Sequence, residues 1–509
     1  RPEKDEPLPG GQTVVGDTPG VAVRASPQPA SGSAMSEPSS PYLYARGPWP
    51  QPDPLRPHDV APTVLHLPRE EREEWDRHIG ARYRKQVVLE SLPAARWARQ
   101  HTGVKLVSDA RFVEILADGI FSKFLTPPVD EYDLALFEAR VPDVRQEGRY
   151  FKADYTVVRA IRPKDGVSVA PTIVLFRVLS RHRYEVASIS VDRVVFLPGD
   201  GDGWSLAKVF ALQAGGIATT LYMHPMVHFP TDAMNAIVKT LLPRGHDLQR
   251  LFLPHFYLAL GMADAVLHDA DTVMNTTRFY SPYPGALEEH WEAVAATWSG
   301  MKRPDRSPNS AYPEYSFKLG PREVHSPYGD FLARYYQTLR AFGLEVALRL
   351  EQDTARSELA RHLSFWIRGF PGPAEFAEPE VFAEVFATVV SDVAIGHTAD
   401  HALFGAVDIQ EVPMRVRAPI PHAVEVDPFD PSKLTKWKDA FSYRMCMKMF
   451  FAAHPITRLA DIDYQFTDPE LIAANLRFRA ALAETERGIL RDGIRNSVPL
   501  RDIAPSVQF

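Results

Sequence analysis

Leu206-Ala-Lys-Val-Phe-Ala-Leu-Gln-Ala-Gly-Gly-Ile-Ala-Thr-Thr-Leu-Tyr-Met-His224-Pro-Met-Val-His228 is the stretch whose reading decides the fold. It is apolar nearly throughout, yet it keeps Lys208, Gln213 and two adjacent glycines. A membrane span of that length would seldom tolerate them, so the run reads as a buried core helix, and no integral membrane segment is expected. It ends on two histidines four residues apart. A second apolar run, from Val381, ends the same way, on His397-Thr-Ala-Asp-His401. Positions i and i+4 share one helix face, so each pair can aim two imidazoles at one point. In a chain with 17 histidines one such pair is structural or incidental. Two pairs, each closing a long apolar helix, argue for ligands, because a buried imidazole needs a partner for its nitrogens and a metal supplies one. Four neutral imidazoles suit iron, copper, zinc or manganese. Neither pair carries the glutamate of a His-Glu-x-x-His peptidase.

Working outward, residues 1–60 are rich in Pro, Gly, Ser and Ala and lack apolar periodicity, so they are expected to be disordered. A charged helix is expected from Arg69 to Arg84. Phe112, Ile115, Leu116, Ile120, Phe121 and Phe124 recur at helical spacing. Between 150 and 200 the pattern changes to strands: Tyr155 with Val157 and Val158, then Ile173–Leu179, Glu185–Val191 and Val194–Leu197. Lys164-Asp165-Gly166 and Pro198-Gly-Asp-Gly201 read as turns between them. Helices follow, most clearly Pro327–Leu350, Pro379–Ile395 and Asp468–Arg491. The expected architecture is mostly α: one large helical domain over 61–509 around a central metal-bearing helix, with a small antiparallel β-region inside it.

Other chemistries are excluded by what the sequence lacks. There is no phosphate-cradling glycine loop, since Gly199-Asp-Gly-Asp-Gly203 has the wrong spacing and is acidic, and there is no Gly-x-Ser-x-Gly elbow. The net charge of -7 is small for 509 residues and gives no reason to expect nucleic acid. Cys446, the only cysteine, rules out an internal disulfide and a cysteine metal cage; it favours a reducing, cytoplasmic setting and reads as core packing. No signal peptide is visible from Arg1 onward, and Met35 offers an alternative start.

The histidine pairs and their flanks resemble the iron site of lipoxygenases. In that family a central helix carries two iron histidines, and about eighteen residues later comes a His-Pro-x-x-x-Leu-Leu-x-Pro-His segment; here His246-Asp-Leu-Gln-Arg-Leu-Phe-Leu-Pro-His255 stands at that distance from His228. Asp232 matches the family's acidic residue four after the second histidine, and Trp204-x-x-Ala-Lys208 matches the approach to the central helix. The family's third iron histidine and the residue four later, which can be a fourth ligand, fall on His397 and His401. Leu459–Asp492, with Phe478-Arg-Ala-Ala-Leu482 at its centre, resembles the penultimate helix. The closing Pro505-Ser-Val-Gln-Phe509 is similar to the family's Asn-Ser-Ile-x-Ile, whose terminal carboxylate binds iron. The resemblance covers residues 150–509.

It implies a non-haem iron centre, with manganese also accepted, held by His224, His228, His397, His401 and the carboxylate of Phe509. The activity implied is insertion of O2 into a polyunsaturated fatty acid at a 1,4-diene to give a hydroperoxide. The chain also departs from the pattern. The first two histidines are four apart instead of five, with Pro225 between them, so the helix must break or bulge there. The family's N-terminal β-barrel lipid-binding domain is not expected from the residues before 150. Val266 stands where the family has a small residue that tunes stereochemistry, and Gly261-Met-Ala-Asp264 replaces its Asn-Ile-Asn-Ala, so Met262 and Val266 are expected to reshape the substrate pocket. Two other readings stay open: the same iron site with altered chemistry, such as hydroperoxide rearrangement or oxidation of another small molecule, and a non-catalytic lipid-binding protein on the same fold.

Overall fold

The computed structural model describes residues 22–24, 43–45, 64–163, 166–351, 353–452 and 455–508. The disorder expected for residues 1–60, and the turn expected at Lys164-Asp165, fall largely outside them.

Three short strands, β1 (Ala22–Arg24), β2 (Leu43–Ala45) and β3 (Val64–His66), pair antiparallel. The chain then forms α1 (Arg69–Trp75), a π-turn over Asp76–Gly80, and α2 (Ala81–Ala98). Next come α3 (Asp109–Val113), capped by Ser108 Oγ, and a second π-turn over Glu114–Asp118. The helical spacing of Phe112–Phe124 does not give one helix. Gly119 takes an extended backbone and the rest winds as a 3-10 turn over Ile120–Phe124, which still buries Phe121 and Phe124.

The second sheet has five antiparallel strands in sequence order: β4 (Leu125–Thr126), β5 (Tyr150–Asp154), β6 (Thr172–Ser180), β7 (Arg183–Val191) and β8 (Val194–Phe196), with α4 (Glu131–Glu138) between β4 and β5. Tyr155, Val157 and Val158 are not in a strand. Asp154 accepts from the Thr156 amide and hydroxyl, which ends β5 and starts a 3-10 turn over Thr156–Ala160. The β-branched residues of β6 and β7 fill the inner face of the sheet, where Val174, Ile189 and Val191 join the main core.

The helical body contains α5 (Gly201–Ala218), α6 (Pro225–His228), α7 (Asp232–Leu241), α8 (Asp247–Phe256), α9 (Ala259–His268), α10 (Leu287–Ser299), α11 (Pro327–Arg349), α12 (Thr354–Trp366), α13 (Pro373–Ala377), α14 (Pro379–Val390), α15 (His397–Gly405), α16 (Trp437–Phe450) and α17 (Pro469–Arg491). Helix α17 begins at Pro469, capped by Asp468, while Leu459–Asp461 is a separate 3-10 turn. Thus only the later part of the segment expected to match a penultimate helix is helical from end to end.

Helix α5 is buried on all sides, as an all-round apolar helix must be. Two polar residues that argued against a membrane span donate to groups inside the protein. Lys208 Nζ donates to the Val107 carbonyl at 2.6 Å and to Asp109 at 2.8 Å, and Gln213 Nε2 donates to the Ser168 carbonyl at 2.9 Å. Two stretches, 247–267 and 379–405, are long and apolar enough to cross a membrane, but most of each is packed inside the fold. Cys446 is buried among core side chains, and burial pushes its thiol far up, which leaves it unsuited to thiolate chemistry.

Candidate metal centre

Pro225 has no amide hydrogen, and its ring clashes with the carbonyl one turn back in a regular α-helix. The chain resolves this by widening before the proline. After α5 it forms a π-turn over Thr219–Met223, and the His224 amide donates to the Thr219 carbonyl at 2.8 Å, five residues back. Pro225 then starts α6 at its first position, where a missing donor costs nothing. The second pair is built alike. Helix α14 passes into a π-turn over Ser391–Gly396, and α15 starts at His397. Each pair therefore follows a bulge that sets the direction of its imidazoles, and single-turn π-bulges recur at functional sites.

The four imidazoles converge. Ring centroids are 4.6 Å apart for His224–His228, 4.5 Å for His228–His397, 4.4 Å for His397–His401 and 4.7 Å for His224–His401. One nitrogen from each lies within 4.8 Å of one from every other. The Nε2 atoms of His224 and His228 are 2.9 Å apart. Two nitrogens bound to one ion at about 2.1 Å and at right angles stand about 3.0 Å apart, and two on opposite sides about 4.2 Å. The donor set therefore fits one ion with a small contraction. Burial, with the neighbouring imidazoles adding to it, holds His397 and His401 well below the ordinary histidine range. They are neutral near pH 7, the form in which imidazole binds a metal.

Two charged residues, not assigned a role from sequence, complete the surroundings. Asp400 sits inside the second histidine pair, with a side chain only 2% exposed, and one of its oxygens lies 3.3 Å from His224 Nδ1. Lys123, from the 3-10 turn after Gly119, donates to both Asp400 oxygens at 2.5 and 2.6 Å. The Tyr328 hydroxyl of α11 adds a longer bond at 3.3 Å. Burial raises the Asp400 pKa, but Lys123 and His224 outweigh it and bring the carboxyl to about 2. Sequence held one signal for this: Lys123 interrupts the apolar residues Phe121 and Phe124.

Among the described residues, the other positions singled out from sequence fall outside this group of four. His255 is fully buried on α8; its Nδ1 donates to the Pro505 carbonyl at 2.8 Å and its Nε2 accepts from the Tyr464 hydroxyl at 2.8 Å. It therefore holds the C-terminal segment. That segment is pinned further: the Ala504 amide donates to Thr398 Oγ1, Ser506 Oγ to the Tyr257 carbonyl, and Thr457 to Gln508 Oε1. Val507 packs on Ala259 and on Val393, which belongs to the π-turn before His397. Phe509 lies outside the described residues. Asp232 opens α7 and is buried, which drives its carboxyl well up. Met262 and Val266, on α9, pack in a cluster with Trp75, Ile79, Leu258 and Ala265.

No protein-family model matches the chain, and no curated protein sequence does. Solved structures do match. Coral 8R-lipoxygenase superposes with a TM-score of 0.64 at 15% identity, over 92% of this chain and 78% of that one. The manganese lipoxygenase of Gaeumannomyces graminis gives 0.64 at 16%, over 92% of this chain and 94% of that one. A lipoxygenase crystallised anaerobically with arachidonate gives 0.61 at 14%, over 92% and 78%. At such identities the likeness speaks for the fold alone, and it agrees with the mostly helical body and the small antiparallel sheet. The chain has the lipoxygenase catalytic-domain fold.

Proposed function

We propose that this chain is a non-haem metal dioxygenase that inserts O2 into a polyunsaturated fatty acid at a 1,4-diene, giving a hydroperoxide. The convergence of His224, His228, His397 and His401 within the span of one ion carries the reading. The arachidonate-bound lipoxygenase among the similar folds supports the substrate class, and the manganese lipoxygenase supports either iron or manganese as the metal. An ion with accessible one-electron states would supply the redox chemistry, which zinc does not.

The chain's own residues do the rest. His224 and His228 on one bulged helix, and His397 and His401 on the other, would hold the ion with neutral nitrogens. The carboxylate of Phe509 is proposed as a further ligand that offsets charge; the pinning of residues 504–508 beside His255 and Val393 supports it. Met262 and Val266 are proposed to act on the substrate through the α9 surface that α1 covers.

Metal analysis of the purified protein, coupled to oxygen uptake with linoleic and arachidonic acids, tests the proposal. Near-stoichiometric iron or manganese, oxygen consumption and conjugated-diene absorbance are expected. Metal without oxygen uptake would reject the fatty-acid dioxygenase and turn the assay to hydroperoxides. Absence of any redox metal would reject the metal centre.

A further inference from the structure

We propose that Asp400, clamped by Lys123 and Tyr328, is a positioning residue that fixes the ring of His224 so that its Nε2 faces the ion. The inference rests on the metal-centre reading above and adds a role for a buried ion pair that this reading leaves unused.

The argument starts from the weak point of the site. His224 is the residue just before Pro225, at the junction of a π-turn and a new helix, so no regular helical turn carries through it. It also keeps more solvent exposure than His397 or His401. A ring in such a place needs an external hold on its orientation and tautomer. Asp400 can provide one: its oxygen 3.3 Å from Nδ1 accepts a hydrogen there. A proton on Nδ1 leaves the Nε2 lone pair free, and that atom is the one 2.9 Å from His228 Nε2. A carboxylate behind a ligating imidazole is a common device for setting tautomer and ring direction.

The carboxylate must itself stay ionised and still. Lys123 grips both of its oxygens, so the pair is neutral overall and Asp400 cannot swing away from the ring. Other charged groups nearby are Arg322, which acts on Lys123, and Asp392, which acts on both members of the pair. A buried ion pair is expensive to desolvate, and an apolar pair of similar volume is often as stable. Its presence one hydrogen bond from a ligand is explained if it is kept for the metal.

The experiment is a double-mutant cycle on the full chain, reading Mn(II) affinity by electron paramagnetic resonance of the free ion, with thermal unfolding of the metal-free protein measured alongside. Asp400→Asn combined with Lys123→Met keeps the site neutral and its volume nearly unchanged, so stability should stay close to the parent. Mn(II) affinity should fall about 10- to 100-fold. In a His224→Ala background the same two changes should have no further effect, because the ring they orient is gone. An unchanged affinity, or an equal loss with and without His224, would overturn the positioning role while leaving the metal centre intact. A parent protein whose Mn(II) uptake is no greater than that of His228→Ala would overturn the metal centre, and this inference with it.

Discussion

His224 and His228 bring their Nε2 atoms to 2.9 Å from one another, although Pro225 follows the first of them and denies the helix a regular turn. Two imidazole nitrogens this close can share a single hydrogen, and an ion held by both would replace that hydrogen bond with two coordinate bonds. Removal of either side of the four-histidine set should therefore be felt as a loss of metal. His228→Ala and His397→Ala are each expected to weaken iron or manganese binding by more than about 100-fold. Equilibrium dialysis followed by metal analysis checks this, and full metal content in both variants would refute the ligand set.

The proline makes a separate prediction. Pro225→Ala restores an amide donor and removes the steric reason for the π-turn over Thr219–Met223. Regular α-helix would carry His224 about 100° around the helix axis for each residue of register lost, away from His228. The variant should unfold at the same temperature as the parent or above it, while metal affinity falls at least about tenfold. Unchanged affinity would mean that the π-turn is set by the surrounding packing and not by the proline.

A pH dependence follows from two buried histidines outside the metal set. His255 and His290 are each held at about 4, first by burial. Each uses one nitrogen as a donor to a carbonyl, and each accepts at the other, from the Tyr464 hydroxyl or the Gly285 amide. Protonation would destroy the accepting side. Above about pH 6.5 both folded and unfolded states are neutral at these positions, so neither contributes a slope. Between about 6.5 and 4 the unfolded chain takes up protons that the folded chain refuses. Stability should then fall with falling pH by about 1.4 kcal/mol per unit for each group. In the metal-free protein His397 and His401 act in the same direction. Denaturant midpoints between pH 7.5 and 5 test this, and a flat profile would contradict it.

The parts of this molecule that could be read from sequence are those written in local pattern. The apolar run of α5 announced a buried helix, and its Lys208 and Gln213 showed that the surroundings were protein and not lipid, because such groups persist only where carbonyls and carboxylates meet them. Pro225 announced a bulge for a covalent reason. What could not be read depends on contacts between distant segments. Val157 and Val158 have strand propensity, but Asp154 captures the Thr156 amide and turns the chain before they can pair. Phe112–Phe124 has helical spacing, yet Gly119 divides it, and the same residues still reach the core from a 3-10 turn. Asp400 stood in plain view between His397 and His401. Its function as the partner of Lys123, 277 residues earlier, is a property of the fold alone.

Gly261 marks the point where α9 meets α1. A Cβ placed there would lie 2.5 Å from Trp75 Cβ and 2.8 Å from the Glu71 carbonyl oxygen, both too close for any side chain. The two helices are further joined by an ion pair between Arg72 and Asp264 and by the packing of Met262 and Val266 around Trp75 and Ile79. A methyl group at position 261 cannot be relieved by a rotamer change, because both obstacles belong to α1 near its backbone. Gly261→Ala should push α1 outward and cost about 1–3 kcal/mol, the usual price of overpacking a close contact. Since α1 covers Met262 and Val266, the displacement should also change how the α9 surface receives an apolar molecule. Val266→Ala acts at the same surface without moving α1; it should shift product position or chirality with metal content unchanged. Gly261→Ala is therefore expected to lower the unfolding temperature and alter the products together, and Val266→Ala to alter the products alone. Chiral-phase analysis of the hydroperoxides, with unfolding curves measured in parallel, checks both, and an unchanged product pattern in the two variants would remove α9 from the substrate site.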